Sequence, residues 1–202
     1  MKATLIIIAF ALSSSGYCQT TNDLSAIFKE SYAFEADSNY IKATAALQEV
    51  YDENSYEINI RLGWLNYLKT DYPSSNKYYS TAIELLPYAI EPKLGYVLPL
   101  SALGNWDEVI NTYNQILTID PQNTLVNYRL GAIYYYRGNY EEAYLLVEKV
   151  VNLYPFDYDS VILFAWINLQ RGDFRKAEVL FNKSLLIRPE DESAIEGLAL
   201  IK

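Results

Sequence analysis

Histidine is missing from the 202-residue chain altogether, and cysteine occurs once, at Cys18. Without an imidazole there is no Ser-His-Asp or Cys-His nucleophile, no supply of the commonest transition-metal ligand and no proton shuttle poised at neutral pH. A lone cysteine has no partner for an intrachain disulfide. Basic residues are also few, 16 Lys and Arg against 25 Asp and Glu, for a net charge of −9. That balance opposes phosphate, so nucleic acid and anionic lipid are excluded as expected partners. The eight glycines stand singly rather than in a phosphate-binding loop. Carboxylate pairs remain, Asp107/Glu108 and Glu141/Glu142, but each falls in the first turn of an expected helix, where negative charge answers the helix dipole. Asp120, Asp157, Glu190 and Asp191 adjoin prolines and read as loop polar residues. No enzyme, cofactor or metal site is expected.

Long apolar runs are equally scarce. The longest, Leu5 to Leu12 (LIIIAFAL), is far too short to span a bilayer as a helix. Preceded by Lys2 and followed by Ser13 to Gly16, it has the anatomy of a secretory signal peptide. Small residues at the −3 and −1 positions place cleavage after Cys18, giving a signal peptide over 1–18, a short linker over 19–23 and an exported protein, periplasmic or secreted. An alternative makes Cys18 the lipid-accepting residue of an envelope lipoprotein. The residues before it, Ser15 and Tyr17, replace the aliphatic and small residues that such a signal uses.

What the chain has is composition for folding, with 51% hydrophobic and 20% charged positions, and a period. Pro87, Pro121, Pro155 and Pro189 recur every 34 residues. In the same phase stand Leu62-Gly63, Tyr96-Val97, Leu130-Gly131 and Phe164-Ala165. So do Asp71-Tyr72, Gly104-Asn105-Trp106, Gly138-Asn139-Tyr140 and Gly172-Asp173-Phe174. Each of the last three triplets can close one helix in a left-handed glycine and cap the next with Asn or Asp. Glu108 and Glu142 stand where a capping box would use them. Helix stop and start within two residues predict an antiparallel hairpin. The pairs Gly63/Ser75, Gly131/Ala143 and Ala165/Ala177 let its helices approach closely. Tyr40, Tyr72, Trp106, Tyr140 and Phe174 are expected to be buried at the turn side.

This pattern resembles the tetratricopeptide repeat family over nearly all of the expected mature chain. The resemblance implies an all-α, right-handed α-solenoid of antiparallel helix pairs, one domain over 24–202. Five units are expected at about 24–55, 56–89, 90–123, 124–157 and 158–191, with a capping helix over 192–202. Ile195, Leu198 and Ala199 are in phase to cover the end of the stack. The third unit departs from the rule: Val97 and Val109 replace the small pair, and Pro99 falls inside the first helix, which predicts a kink or interruption near Gly95 to Pro99.

In the solenoid that the resemblance implies, first helices line a concave groove with residues two, five, nine and twelve of each unit. The last three of these share one helix face by spacing alone. The candidate partner-binding residues are therefore Phe28, Tyr32, Ile60, Trp64, Tyr67, Leu94, Leu98, Tyr128, Tyr135, Ile162, Trp166 and Leu169, an aromatic and aliphatic set. Some members of the family grip a C-terminal carboxylate with Lys, Asn and Arg in the groove. Arg61 and Arg129 occupy one such position, but the matching positions carry Ile60, Tyr128, Trp64 and Ala132, so that function does not carry over. The expected function is a non-enzymatic scaffold of the cell envelope that binds a protein or peptide partner. The alternatives are a glycan or small-molecule binder using the same rings, and a lipid-anchored assembly factor.

Overall fold

The computed structural model describes residues 16–201, with side chains from Asp23 onward. The expected signal peptide lies outside the described residues except for Gly16 to Cys18, which begin the first helix. All the described elements are helices: α1 (Gly16–Ala36), α2 (Tyr40–Gln48), α3 (Tyr56–Leu68), α4 (Tyr72–Leu85), α5 (Glu91–Ala102), α6 (Trp106–Ile119), α7 (Thr124–Tyr136), α8 (Tyr140–Leu153), α9 (Tyr158–Gln170), α10 (Phe174–Ile187) and α11 (Glu192–Leu200). They pair as successive hairpins, the arrangement of an α-solenoid. Residues 19–23, expected as a linker, continue α1 instead, since no proline interrupts the run from Gln19 to Ala36.

The helices gather into two compact units, 1–87 and 88–202, where the sequence suggests one domain. Leu86 and Tyr88, the apolar residues flanking the division, stay exposed and so contribute to neither core. In the first unit Ala43, Leu47, Ile58, Leu62 and Leu65 form the core of α1 to α4. In the second, one cluster centred on Val97, Val109, Tyr113 and Leu130 joins α5 to α7, and another centred on Val147, Phe164, Ile167 and Phe181 joins α8 to α11.

The hairpin turns follow the sequence logic with informative exceptions. Gly104, Gly138 and Gly172 all take positive φ, between 73° and 79°, in open space. Where no glycine is available, Ser38 and Thr70 accept the same left-handed turn. Asp173 caps α10 by accepting the Lys176 N–H, and Asn39 and Asp71 do the same for α2 and α4. Asn105 and Asn139 occupy N-cap positions without a side-chain cap bond, so their expected capping role is corrected.

Close approach between paired helices has a measurable basis. Ser75 Oγ donates to the Gly63 carbonyl at 2.7 Å. A Cβ on Gly131 would stand 2.5 Å from Val147 Cγ2, so the absence of a side chain there sets the α7–α8 spacing. The turn-side aromatics are less buried than expected: Trp106 is 45% and Phe174 52% exposed, because each opens its helix at the solvent end of a hairpin.

Pro99 does not interrupt α5, which runs continuously from Glu91 to Ala102. The ring deletes one donor, the one that would reach the Gly95 carbonyl. The helix resumes at once, with Ser101 Oγ donating to the Val97 carbonyl at 2.8 Å and the Leu103 N–H to the Pro99 carbonyl at 3.0 Å. Pro99 itself is buried. At the C-terminal end, Ala194 and Gly197 of α11 are buried and Leu198 packs on the core as expected, while Ile195 and Ala199 are exposed, correcting their expected covering role.

Candidate functional site

In the second unit the first helices of successive hairpins, α7 and α9, and the closing α11 leave a groove of about 480 Å³. Four of the expected residues meet in it: Tyr128 and Tyr135 from α7, Ile162 and Trp166 from α9. Their spacing explains the convergence, because residues seven apart on α7 and four apart on α9 share a face. Trp166 is held from two sides. Its indole Nε1 donates to Ser193 Oγ at 2.9 Å, and its ring meets Phe181 edge-on at 5.2 Å between centroids. Tyr135 packs against Tyr136 and Tyr140 at 5.4 and 5.8 Å.

The rim is polar and acidic. Asp159 and Glu196 line the groove beside Tyr136 and Tyr158. Burial, followed by the negative charge of Asp159, pushes the Tyr128 phenol above its ordinary range. Burial, followed by Tyr140 and Tyr136, does the same to Tyr135. Both hydroxyls are therefore neutral donors at any physiological pH.

Leu169 does not reach this groove. It is only 7% exposed and belongs to the core of α8 to α11. Tyr135 occupies the same place in the preceding repeat, but its longer side chain extends past the seam in which a leucine ends. Leu94 packs on the α5–α7 core. Leu98 is half-buried on α5 and does not line the groove.

The expected residues of the first unit are already engaged with one another. Arg61 forms an ion pair with Glu35, and its guanidinium lies 3.9 Å from the centre of the Tyr32 ring. The same carboxylate accepts the Trp64 indole N–H at 2.6 Å. Trp64 stacks on Tyr67 at 5.8 Å, and Phe28 packs both on Tyr32 and on the core. Ile60 is half-buried on the same helix. Arg61 is thus a structural ion-pair partner, whereas Arg129 is exposed.

Residues 100–161 match the family model for the tetratricopeptide repeat. That segment carries tetratricopeptide repeats. Such repeats generally serve as non-catalytic modules that bind protein partners. Solved structures extend the likeness in fold well beyond the matched segment. A tetratricopeptide repeat protein from Parabacteroides merdae superposes with a TM-score of 0.75 at 20% identity, over 89% of this chain and 72% of that one. A crystal structure of MamA gives 0.72 at 15% identity, over 83% of this chain and 92% of that one. MamA from Desulfovibrio magneticus RS-1, from residue 41 to its end, gives 0.66 at 17% identity, over 75% and 84%. No curated protein sequence matches significantly.

Within the repeats, several groove residues escape a reading by position. Tyr136 follows a groove position by one residue, Tyr158 and Asp159 open α9, and Ser193 and Glu196 come from α11. A signal for part of this arrangement does exist: Ser193 and Glu196 fall at positions two and five if the closing helix is counted as a sixth first helix. Two ion pairs were also legible only as a doubled spacing. Arg137 pairs with Asp107 at 3.0 Å, and Arg171 chelates Glu141 through two contacts of 2.8 Å, each across thirty residues and one repeat apart. Each links successive hairpins, and exposed pairs of this kind contribute little to stability.

Tyr158 offers a direct check on the groove wall. Burial first, then its hydrogen bond to Asp191 at 2.6 Å, pushes its phenol up to about 12, while Arg188 lies 3.5 Å from the ring centre. A phenol whose folded pKa is raised contributes stability that is complete below its unfolded pKa and is lost as pH climbs through the folded one. The Tyr158 contribution is therefore present below about pH 10 and disappears toward about 12. Spectrophotometric titration should show, beyond the other raised phenols, a component ionising at about 12 that moves to lower pH in Asp191→Asn. An unchanged titration would remove the Asp191 bond from the account.

No described helix is long and apolar enough to cross a membrane. Among the described residues no group of three or more acidic or cysteine side chains is placed to hold a metal ion.

Proposed function

We propose that this protein is an exported, non-enzymatic scaffold of the cell envelope that binds a segment of a protein partner through the aromatic groove of α7, α9 and α11. One observation carries the reading: Tyr128, Tyr135, Ile162 and Trp166, from two different repeats, converge on one groove together with Tyr136 and Tyr158. Tyrosine and tryptophan supply large contact areas with few rotamers to freeze, which is why such residues dominate interface energetics. Export rests on the segment Lys2 to Gly16, read as a signal peptide.

Affinity capture from the native envelope tests this. Tyr135→Ala combined with Trp166→Ala should lose the partner that the unaltered protein retains, with the thermal transition of the variant measured in parallel. Retention at the unaltered level by a folded variant would place binding elsewhere.

A further inference from the structure

The charges around the groove narrow what it binds. Among the described residues lining it, the charged ones are Asp159 and Glu196, and none is Lys or Arg. Glu196 is exposed on α11. Asp159 has a loose contact, 3.8 Å, with Arg188, both side chains being more than half exposed, so its carboxylate remains accessible. Between the two stand tyrosine faces and the half-buried Trp166. Aromatic faces attract cations, guanidinium above all, and a flanking carboxylate adds direction to that attraction. The molecule already uses this chemistry on itself: Arg171 lies 3.8 Å from the Tyr144 ring centre while chelating Glu141, and Arg61 lies over Tyr32 while paired with Glu35. In the groove Arg188 already lies over the Tyr158 ring and beside Asp159, whereas among the described residues no cation lies over Tyr128 or Tyr135 or pairs with Glu196.

We propose that the groove of α7, α9 and α11 selects a basic peptide segment, in which an arginine beside an apolar side chain lies over the tyrosine faces and reaches Asp159 and Glu196. The apolar neighbour fills the space beside Ile162 and Leu163. The inference rests on the proposed protein-binding role of the same groove. It adds the chemical class of the partner, which the net charge of −9 favours by long-range attraction.

The test uses the full chain and three labelled dodecapeptides read by fluorescence anisotropy. One alternates leucine with arginine, the second replaces arginine by citrulline, which keeps the shape and removes the charge, and the third replaces it by glutamate. The arginine peptide should bind about tenfold or more tightly than the citrulline peptide, and the glutamate peptide should not bind. Asp159→Asn with Glu196→Gln should weaken the arginine peptide about tenfold and leave the citrulline peptide unchanged. Glu84→Gln with Glu178→Gln, which removes the same charge from exposed sites outside the groove, should change neither. Equal binding of the arginine and citrulline peptides, absence of any binding, or an equal loss in the control variant would overturn the proposal. If the charge arms fail while Tyr135→Ala/Trp166→Ala still abolishes partner capture, the protein-binding role survives and the basic-peptide inference falls. If both fail, the groove is not the site.

Discussion

Glu35→Ala should destabilise the first unit by about 3 kcal/mol, the scale expected when one member of a buried ion pair is removed and the other is left uncompensated. The Arg61 side chain is 7% and that of Glu35 22% exposed, so water cannot readily replace the lost carboxylate around the guanidinium. Glu35 also accepts the Trp64 indole N–H, and alanine abandons that donor as well. The effect belongs to the charge imbalance rather than to the pair as such. Glu35→Leu with Arg61→Met should therefore cost less than Glu35→Ala alone, since an apolar pair of similar volume leaves no buried charge behind. Chemical denaturation of the single and double variants decides the point. A double variant as unstable as the sum of the two singles would show that the residues act independently.

Phe181→Ala should cost about 3–5 kcal/mol in the second unit, the range for emptying a fully buried aromatic site. Phe181 is buried between α9, α10 and α11, edge-on to Trp166 and against the bare face of Gly197. A Cβ on Gly197 would stand 2.2 Å from the end of the Phe181 ring. The two positions are therefore complementary. Gly197→Ala alone should destabilise, yet in the Phe181→Ala background it should cost little, because the methyl group enters the space the ring has left. The same loss reaches the groove, since Trp166 would keep its bond to Ser193 but lose the ring it leans on. Calorimetric unfolding of the four-member cycle measures the coupling, and strict additivity would contradict the packing described.

The extent to which the fold was legible depended on how local each determinant was. The period of the prolines and the glycine-led turns at Gly104, Gly138 and Gly172 are local facts of backbone conformation, and the structure carries them unchanged. Pro99 looked equally local, but it is buried among the packed residues of the α5–α7 region, and α5 continues through it. The capping of α6 and α8 shows the same limit, because an asparagine in an N-cap position still has to turn its oxygen toward the helix.

Groove residues divide along the same line. Tyr128, Tyr135, Ile162 and Trp166 follow from helix spacing and repeat phase. Ser193 and Glu196 depend on α11 repeating the role of a first helix, and Tyr136 on the reach of a ring one position off phase. Leu169 shares the phase of Tyr135 but not its length. The engagement of Trp64 and Arg61 by Glu35 spans two hairpins and has no counterpart in the other repeats, so periodicity could not reveal it.

Site-directed photocrosslinking in the native envelope tests the central claim most directly. A photoreactive phenylalanine derivative would replace Tyr136, which is 83% exposed at the groove, or Leu186, an exposed residue on the second-helix face of α10. A specific adduct with one protein from position 136, absent from position 186, is the predicted result. An adduct from position 186 alone, or equal adducts from both, would contradict binding through the groove.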